Sequence, residues 1–424
     1  MKKKELILKI KINKYNLKYL YIFFLLLIFI SYIGGFFLKE DSSGGGELDF
    51  SLHIFNNYIL FHSSNLININ WNLYDSTSLP LHYIISKLFV ISTNENIYKF
   101  FWFIFSFSGF FFIYFTFLKK LKIKNLINLE LIFLSSFIFL SPYYRTSAFW
   151  GLEENIGVVC LVITIYFYYC YKENNSFNFF FLTILFASTT FFTRQSYMFL
   201  PIIVFLLLFD QSNYLCKKNK LLTILFIIFF IPVFYFFFSW EGLVPPMVQN
   251  TRTSGINLNN IPTILNIYLI YLAPFVMKYI LSTKIKLNLN YLFLTGVFFL
   301  IYLFIFQNYE WTSNGSGILP KLLKILFFDD FTSKILLLFI SYLTLILILI
   351  MFSNSVVLML YFFINLLLFC FIDVVFQEYF DPICLIMLLC FAPNSYLSKK
   401  YFNLINFIPP YSLIILLGSI IYHQ

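Results

Sequence analysis

Apolar runs of membrane-crossing length recur along almost the whole chain, and no other feature limits its fold so strongly. Lipid offers no hydrogen-bond partners, so a crossing segment must satisfy its own backbone as a helix or within a closed barrel. About 20 apolar residues suffice for one helical crossing. Thirteen runs qualify, at 19–38, 97–118, 126–141, 155–171, 178–192, 195–209, 221–239, 262–282, 290–306, 334–352, 355–373, 383–393 and 404–422. The fifth, sixth and twelfth are short, so the expected number lies between 11 and 13. Composition closes off the soluble alternative. Only 11% of the 424 residues are charged and 60% are apolar, whereas a soluble domain keeps roughly 25% charged. The expectation is an all-α, polytopic transmembrane helical bundle.

Charge orders the runs. Residues 1–18 hold seven Lys and one Glu, a cytoplasmic basic tail, because basic flanks resist translocation. Residues 19–424 then form a single transmembrane domain that includes a first outside loop over 39–96. With the N-terminus inside, 20 of the 29 basic residues fall on the cytoplasmic face and 15 of the 19 acidic ones on the other. The net charge of +10 therefore reads as a topology signal. The bilayer is the expected partner and nucleic acid is not. The run at 19–38 is too long for a signal peptide and lacks a small-x-small cleavage site, which makes it a retained anchor. Six cysteines without a Cys-x-x-Cys pair argue against a disulfide framework or a thiolate metal site.

The first outside loop carries most of the chemistry. Ser42-Ser43-Gly44-Gly45-Gly46 reads as a flexible hinge, followed by Glu47-Leu48-Asp49 and a stripe of Leu52, Phe55, Ile59 and Leu60. His53 lies four residues after Asp49, on the same face of a helix. After Pro80, the residues Leu81, Ile84, Ile85 and Leu88 are spaced to lie on a membrane surface. Only three Arg occur, at 145, 194 and 252, all on the predicted outside face. Arg matches phosphate geometry best, and Arg194 lies between two short runs, where an unpaired charge is costly. Glu153-Glu154 are expected to pair locally with Arg145, and Trp150, Trp240 and Trp311 to anchor at the interface. His53, His62 and His82 share one loop without a metal-ligand spacing, so no metal or other cofactor is expected, although a divalent ion would be compatible.

A carboxylate motif just behind the first span, an interfacial loop and 11 to 13 spans together resemble the C-superfamily (GT-C) membrane glycosyltransferases. The likeness is greatest to the polyprenyl- or dolichyl-phosphate-glucose-dependent glucosyltransferases and their bacterial relatives. It rests on Glu47-Leu48-Asp49 with His53, Phe192-Thr193-Arg194-Gln195, Val244-Pro245-Pro246 with Gln249, and Gln377-Glu378-Tyr379-Phe380-Asp381-Pro382. The resemblance implies transfer of a sugar from a polyprenyl-phosphate donor to a glycolipid or glycan acceptor on the extracytoplasmic face. A bacterial inner membrane or an endoplasmic reticulum membrane is the setting it implies.

Inverting transfer needs a base within reach of the acceptor hydroxyl. Asp49 is the first candidate and Glu47 the second. Arg194, Arg252 and Arg145, with His53, Gln195 and Gln249, are the candidate contacts for donor phosphate and substrate. Three other readings stay open: a cell-envelope polysaccharide polymerase or ligase, a lipid-linked sugar flippase or transporter, and a non-catalytic scaffold. A polymerase has no need of a carboxylate behind the first span, and a transporter usually places charge in mid-span.

Overall fold

The computed structural model describes residues 14–65, 69–90, 92–123, 127–210, 216–242, 244–249, 256–282, 289–309, 317–327, 330–353, 355–372 and 374–392. All regular structure among them is helical. In chain order the α-helices are α1 (Lys14–Phe37), α2 (Gly46–Asp49), α3 (Phe55–Ser63), α4 (Leu81–Phe89), α5 (Glu95–Lys120), α6 (Leu129–Ser135), α7 (Pro142–Trp150), α8 (Glu153–Asn174) and α9 (Phe177–Thr193). There follow α10 (Phe199–Leu208), α11 (Lys217–Trp240), α12 (Pro246–Gln249), α13 (Asn260–Ser282), α14 (Leu289–Ile305), α15 (Ile318–Phe327), α16 (Asp330–Phe352), α17 (Val356–Phe369) and α18 (Ile383–Phe391). The expected run at 404–422 lies outside the described residues.

Among the described residues four helices, α5, α8, α11 and α16, are long and apolar enough to cross a membrane. α11 makes the solvent question concrete. Its Ile224, Ile227, Ile228, Ile231, Phe234 and Phe238 are all exposed, a continuous apolar stripe that water would not tolerate on a monomer. Polar side chains instead turn inward and bond across helices, as lipid-embedded bundles require. Tyr32 and Ser106 hydroxyls meet at 2.6 Å, and those of Tyr302 and Ser341 at 2.8 Å. The helix set is that of a membrane protein.

α7 (Pro142–Trp150) lies in the short link between the apolar runs at 126–141 and 155–171. Its ends are written in the sequence. The Ser141 hydroxyl caps the Tyr144 N–H, Pro142 fills the first turn, and Gly151 takes the left-handed conformation at φ 64° just past the end, the start and stop arrangement helices favour. All nine of its residues are buried.

α7 also organises the first loop. Arg145 is buried and donates through Nε to Glu40 Oε1 at 2.7 Å and through Nη2 to Glu40 Oε2. Its remaining donors go to the Ser31 carbonyl at 2.9 Å and the Phe139 carbonyl at 3.2 Å. The expected pairing of Arg145 with Glu153-Glu154 is thus overturned, because the acid at the end of α1 presents a bidentate partner and the local glutamates point elsewhere. Trp150 is buried rather than interfacial and donates to the Glu40 carbonyl at 3.2 Å. Trp240 is likewise buried, against Trp71 and Tyr74. The Ser-Ser-Gly-Gly-Gly run is a seam and not a free hinge. Ser42 donates to the Pro142 carbonyl at 3.0 Å, the Ser43 N–H donates to Thr146 at 3.0 Å, and a Cβ on Gly46 would lie 2.2 Å from the Thr146 methyl.

Breaking a buried pair leaves an uncompensated charge and costs about 3–5 kcal/mol. R145A is expected to destabilise the protein on that scale in detergent-solubilised thermal or denaturant unfolding. The double variant R145M/E40Q should recover a large part, and a loss below about 1 kcal/mol for R145A would refute the clamp.

Candidate functional site

Residues 46–63 form one helical rod with a widened turn in it. The π turn Phe50–Ile54 joins α2 to α3, with the Phe55 N–H reaching back to the Phe50 carbonyl. Phe50, Ile54, Tyr58 and Phe61 face inward; of the expected stripe Leu52 and Ile59 are exposed, while Phe55 and Leu60 pack against the core. The rod thereby holds Asp49 and His53 over a cavity of about 480 Å³. α4 packs against α3 with His82, Tyr83 and Ser86 buried and Leu88 and Phe89 outward.

Five segments converge on that cavity. Asp49 and His53 come from the rod and Asp75 from the stretch before α4. Glu153 and Glu154 come from the first turn of α8, Arg194 from the break after α9, and Met247 and Val248 from α12. Asp75 was not singled out in the sequence, yet it is the partner of His53. His53 Nδ1 lies 2.6 Å from Asp75 Oδ2, so this nitrogen carries the proton and Nε2 is left for another contact. Asn57 fixes Asp75 on both sides, accepting its N–H at 3.0 Å and donating to its carbonyl at 2.9 Å. Glu153 is buried and accepts from Tyr83 at 2.6 Å and Ser76 at 2.8 Å.

Arg194 is the cation of the site. Its Nη1 lies 2.6 Å from Glu154 Oε1 and its Nη2 3.2 Å from Glu378 Oε1, and its guanidinium lies 5.1 Å from the Tyr379 ring centroid. The chain breaks helix at Arg194, with φ −156° and ψ 129°, and resumes as a 3-10 turn over Gln195–Met198. Gly157 allows that turn to approach α8, since a Cβ there would lie 1.9 Å from the Tyr197 ring. The approach sets Arg194 opposite Glu154, one turn earlier on α8.

Asp49 sits at the cavity mouth, open on one side and walled by protein on the other. Partial desolvation raises its carboxyl pKa, and Glu154 adds to the effect, against the lowering influence of His53 and Arg194. Burial likewise raises Glu378, with Arg194 opposing. Asp381, from the same motif, turns away from the cavity to accept from Ser141 at 2.6 Å, and burial pushes its carboxyl up to about 7.

The other expected contacts separate from this group. Glu47 is exposed and outside the cavity lining, its N–H donating to Asp41 at 3.2 Å. Arg145 is spent on Glu40, and Gln195 enters the 3-10 turn without lining the cavity. His82 is buried against Trp102 at 4.4 Å. Arg252 and the side chain of Gln249 lie outside the described residues. Among the described residues no group of three or more His, Cys, Asp and Glu side chains is arranged to hold a metal ion.

The chain matches no known protein family, curated protein or solved structure.

Removing Arg194 would leave Glu154 and Glu378 facing one another with no counter-charge. Burial already raises Glu378, and without Arg194 its folded-state pKa rises further above the unfolded one, so stability is lost as pH rises through it. R194M should therefore lower the melting temperature more at pH 8 than at pH 5, and R194M/E378Q should recover part of the loss at pH 8. An equal loss at both pH values would contradict this electrostatic account.

Proposed function

We propose that the protein is a membrane glycosyltransferase, moving a sugar from a polyprenyl-phosphate donor to a hydroxyl of a glycolipid or glycan at the extracytoplasmic end of an 11- to 13-span bundle. The observation that carries the reading is the convergence of Asp49, His53 and Arg194 on one cavity. They are three of the eight residues that the sequence pattern and the resemblance to GT-C enzymes select. Asp49 takes the acceptor proton as the acceptor oxygen attacks the anomeric carbon. The bond from that carbon to the phosphate oxygen breaks, and the lipid phosphate departs with the electron pair. A raised carboxyl pKa makes Asp49 a stronger base than an ordinary aspartate.

The departing phosphate needs cations within the cavity. Arg194 offers a planar fork, and His53, held by Asp75, lines the same cavity. The fork is engaged by Glu154 and Glu378. Burial favours the protonated form of Glu378, so an arriving phosphate can displace it by driving proton uptake instead of opposing a full charge. Asp49 behind the first span favours this reading over a polymerase.

In detergent, transfer of radiolabelled sugar from polyprenyl-phosphate donors should fall at least 10²-fold in D49N, the scale of a lost general base, with the fold intact. Undiminished transfer in D49N would sink the mechanism. The base must be ionised to act, so the acid limb of the pH–rate profile should lie above the ordinary aspartate value of about 3.9. E154Q removes a repelling charge and frees Arg194 toward Asp49, and both effects lower the Asp49 pKa. That variant should shift the acid limb to lower pH, and an unmoved limb would take Asp49 out of the role.

A further inference from the structure

A second cavity, of about 460 Å³, opens where α1 ends and α5 begins, with α7 behind it. Phe36, Phe37, Ile97, Phe100 and Phe149 form its apolar wall, and Lys39 and Lys99 face into it. The two helices are locked here by the stacked rings of Phe36 and Phe103, 4.2 Å apart. Lys39 stands exposed at the rim. Lys99 lies deeper, its Nζ 4.1 Å from the centroid of Phe50 and 4.2 Å from that of Trp150. Its nearest carboxylate is Glu95 at 3.7 Å, an exposed side chain of the same helix.

An apolar track leads away from this cup. Phe37, Ile33 and Ile30 on α1, and Ile97, Phe100, Ile104 and Phe111 on α5, are all exposed. They follow helical spacing down the flank of a helix that can cross a membrane. Two ammonium groups at the head of an apolar furrow match a phosphate ester carrying acyl chains. A zwitterionic headgroup fits less well, because Lys99 already covers the Phe50 and Trp150 rings that a quaternary ammonium would otherwise use.

We propose that this cup binds an anionic phospholipid of the surrounding bilayer, with the headgroup phosphate between Lys39 and Lys99 and the chains against Phe37, Ile97 and Phe100. The site is separate from the transferase cavity and does not rest on the proposed activity. The two cavities have no lining residue in common, although Phe50, against Lys99, directly follows Asp49 in the chain.

Native mass spectrometry of the full-length protein in detergent tests the proposal, titrating phosphatidylglycerol or phosphatidylcholine of matched chains. The first phosphatidylglycerol adduct should form with at least fivefold preference, the scale expected of a single lysine near a lipid phosphate. K39Q/K99Q should abolish the preference while leaving phosphatidylcholine adducts unchanged. K39E, at an exposed position that cannot disturb the core, should lower it alone. Equal adducts from the two lipids, or a preference that survives in both variants, would overturn the proposal. So would displacement of phosphatidylglycerol by millimolar inorganic phosphate, which would assign the cup to a soluble anion.

Discussion

A guanidinium set among packed apolar helices has to be neutralised where it stands, because bulk water cannot follow it there. Arg194 meets that demand by drawing together parts of the chain that are far apart in sequence. Glu154 comes from the first turn of α8 and Glu378 from the link before α18, while the ring of Tyr379 lies across the guanidinium plane. Once Glu154 is fixed by Arg194 it also faces Asp49, and its charge reaches the carboxyl at the cavity mouth. The acidity of the site, the break after α9 and the closeness of the 3-10 turn to Gly157 all follow from seating one cation.

Arg145 shows what a cation looks like when it has no chemistry left to offer. It lies on the same predicted face as Arg194, and the sequence gives no reason to rank the two by residue type. Each of its nitrogens is committed, to both oxygens of Glu40 or to the carbonyls of Ser31 and Phe139. Among the described residues the ion-pair partners of Arg194 are Glu154 and Glu378, and burial inclines Glu378 toward protonation. Saturation by fixed carbonyls marks a clamp, and neutralisation by carboxylates that can titrate marks a site able to exchange partners.

The parts legible in the sequence were those governed by local physics. Apolar runs announce helices because lipid demands unbroken backbone bonding. The spacing of Asp49 and His53 placed them on one face, and the rarity of Arg drew attention to Arg194. Partner choice across the fold was not legible. Glu40 and Arg145 are separated by 105 positions, while Glu153 and Glu154 sat nearby as plausible decoys. The buried seam at Ser42 and Ser43 has the composition of a flexible linker, and only its packing against α7 shows otherwise. α7 itself was hidden by its polar composition, although Ser141, Pro142 and Gly151 spell both of its ends. Asp75 lacked any local mark, because its role depends on Asn57 and His53 arriving from a separate helix.

The widened turn over Phe50–Ile54 has a consequence of its own. A π turn holds one residue more than the α-helix around it needs, so the rod carries a surplus residue lodged between its two functional side chains. Everything after the turn is held by the inward packing of Tyr58 and Phe61, and everything before it by Gly46 against Thr146. The surplus acts as a gear between these two anchorages. It sets the angle at which Asp49 meets the cavity independently of how the rest of the rod is seated. A one-residue deletion within the turn would rotate the segment that carries Asp49 by roughly 100° relative to the segment that follows, so the two anchorages could no longer both be kept.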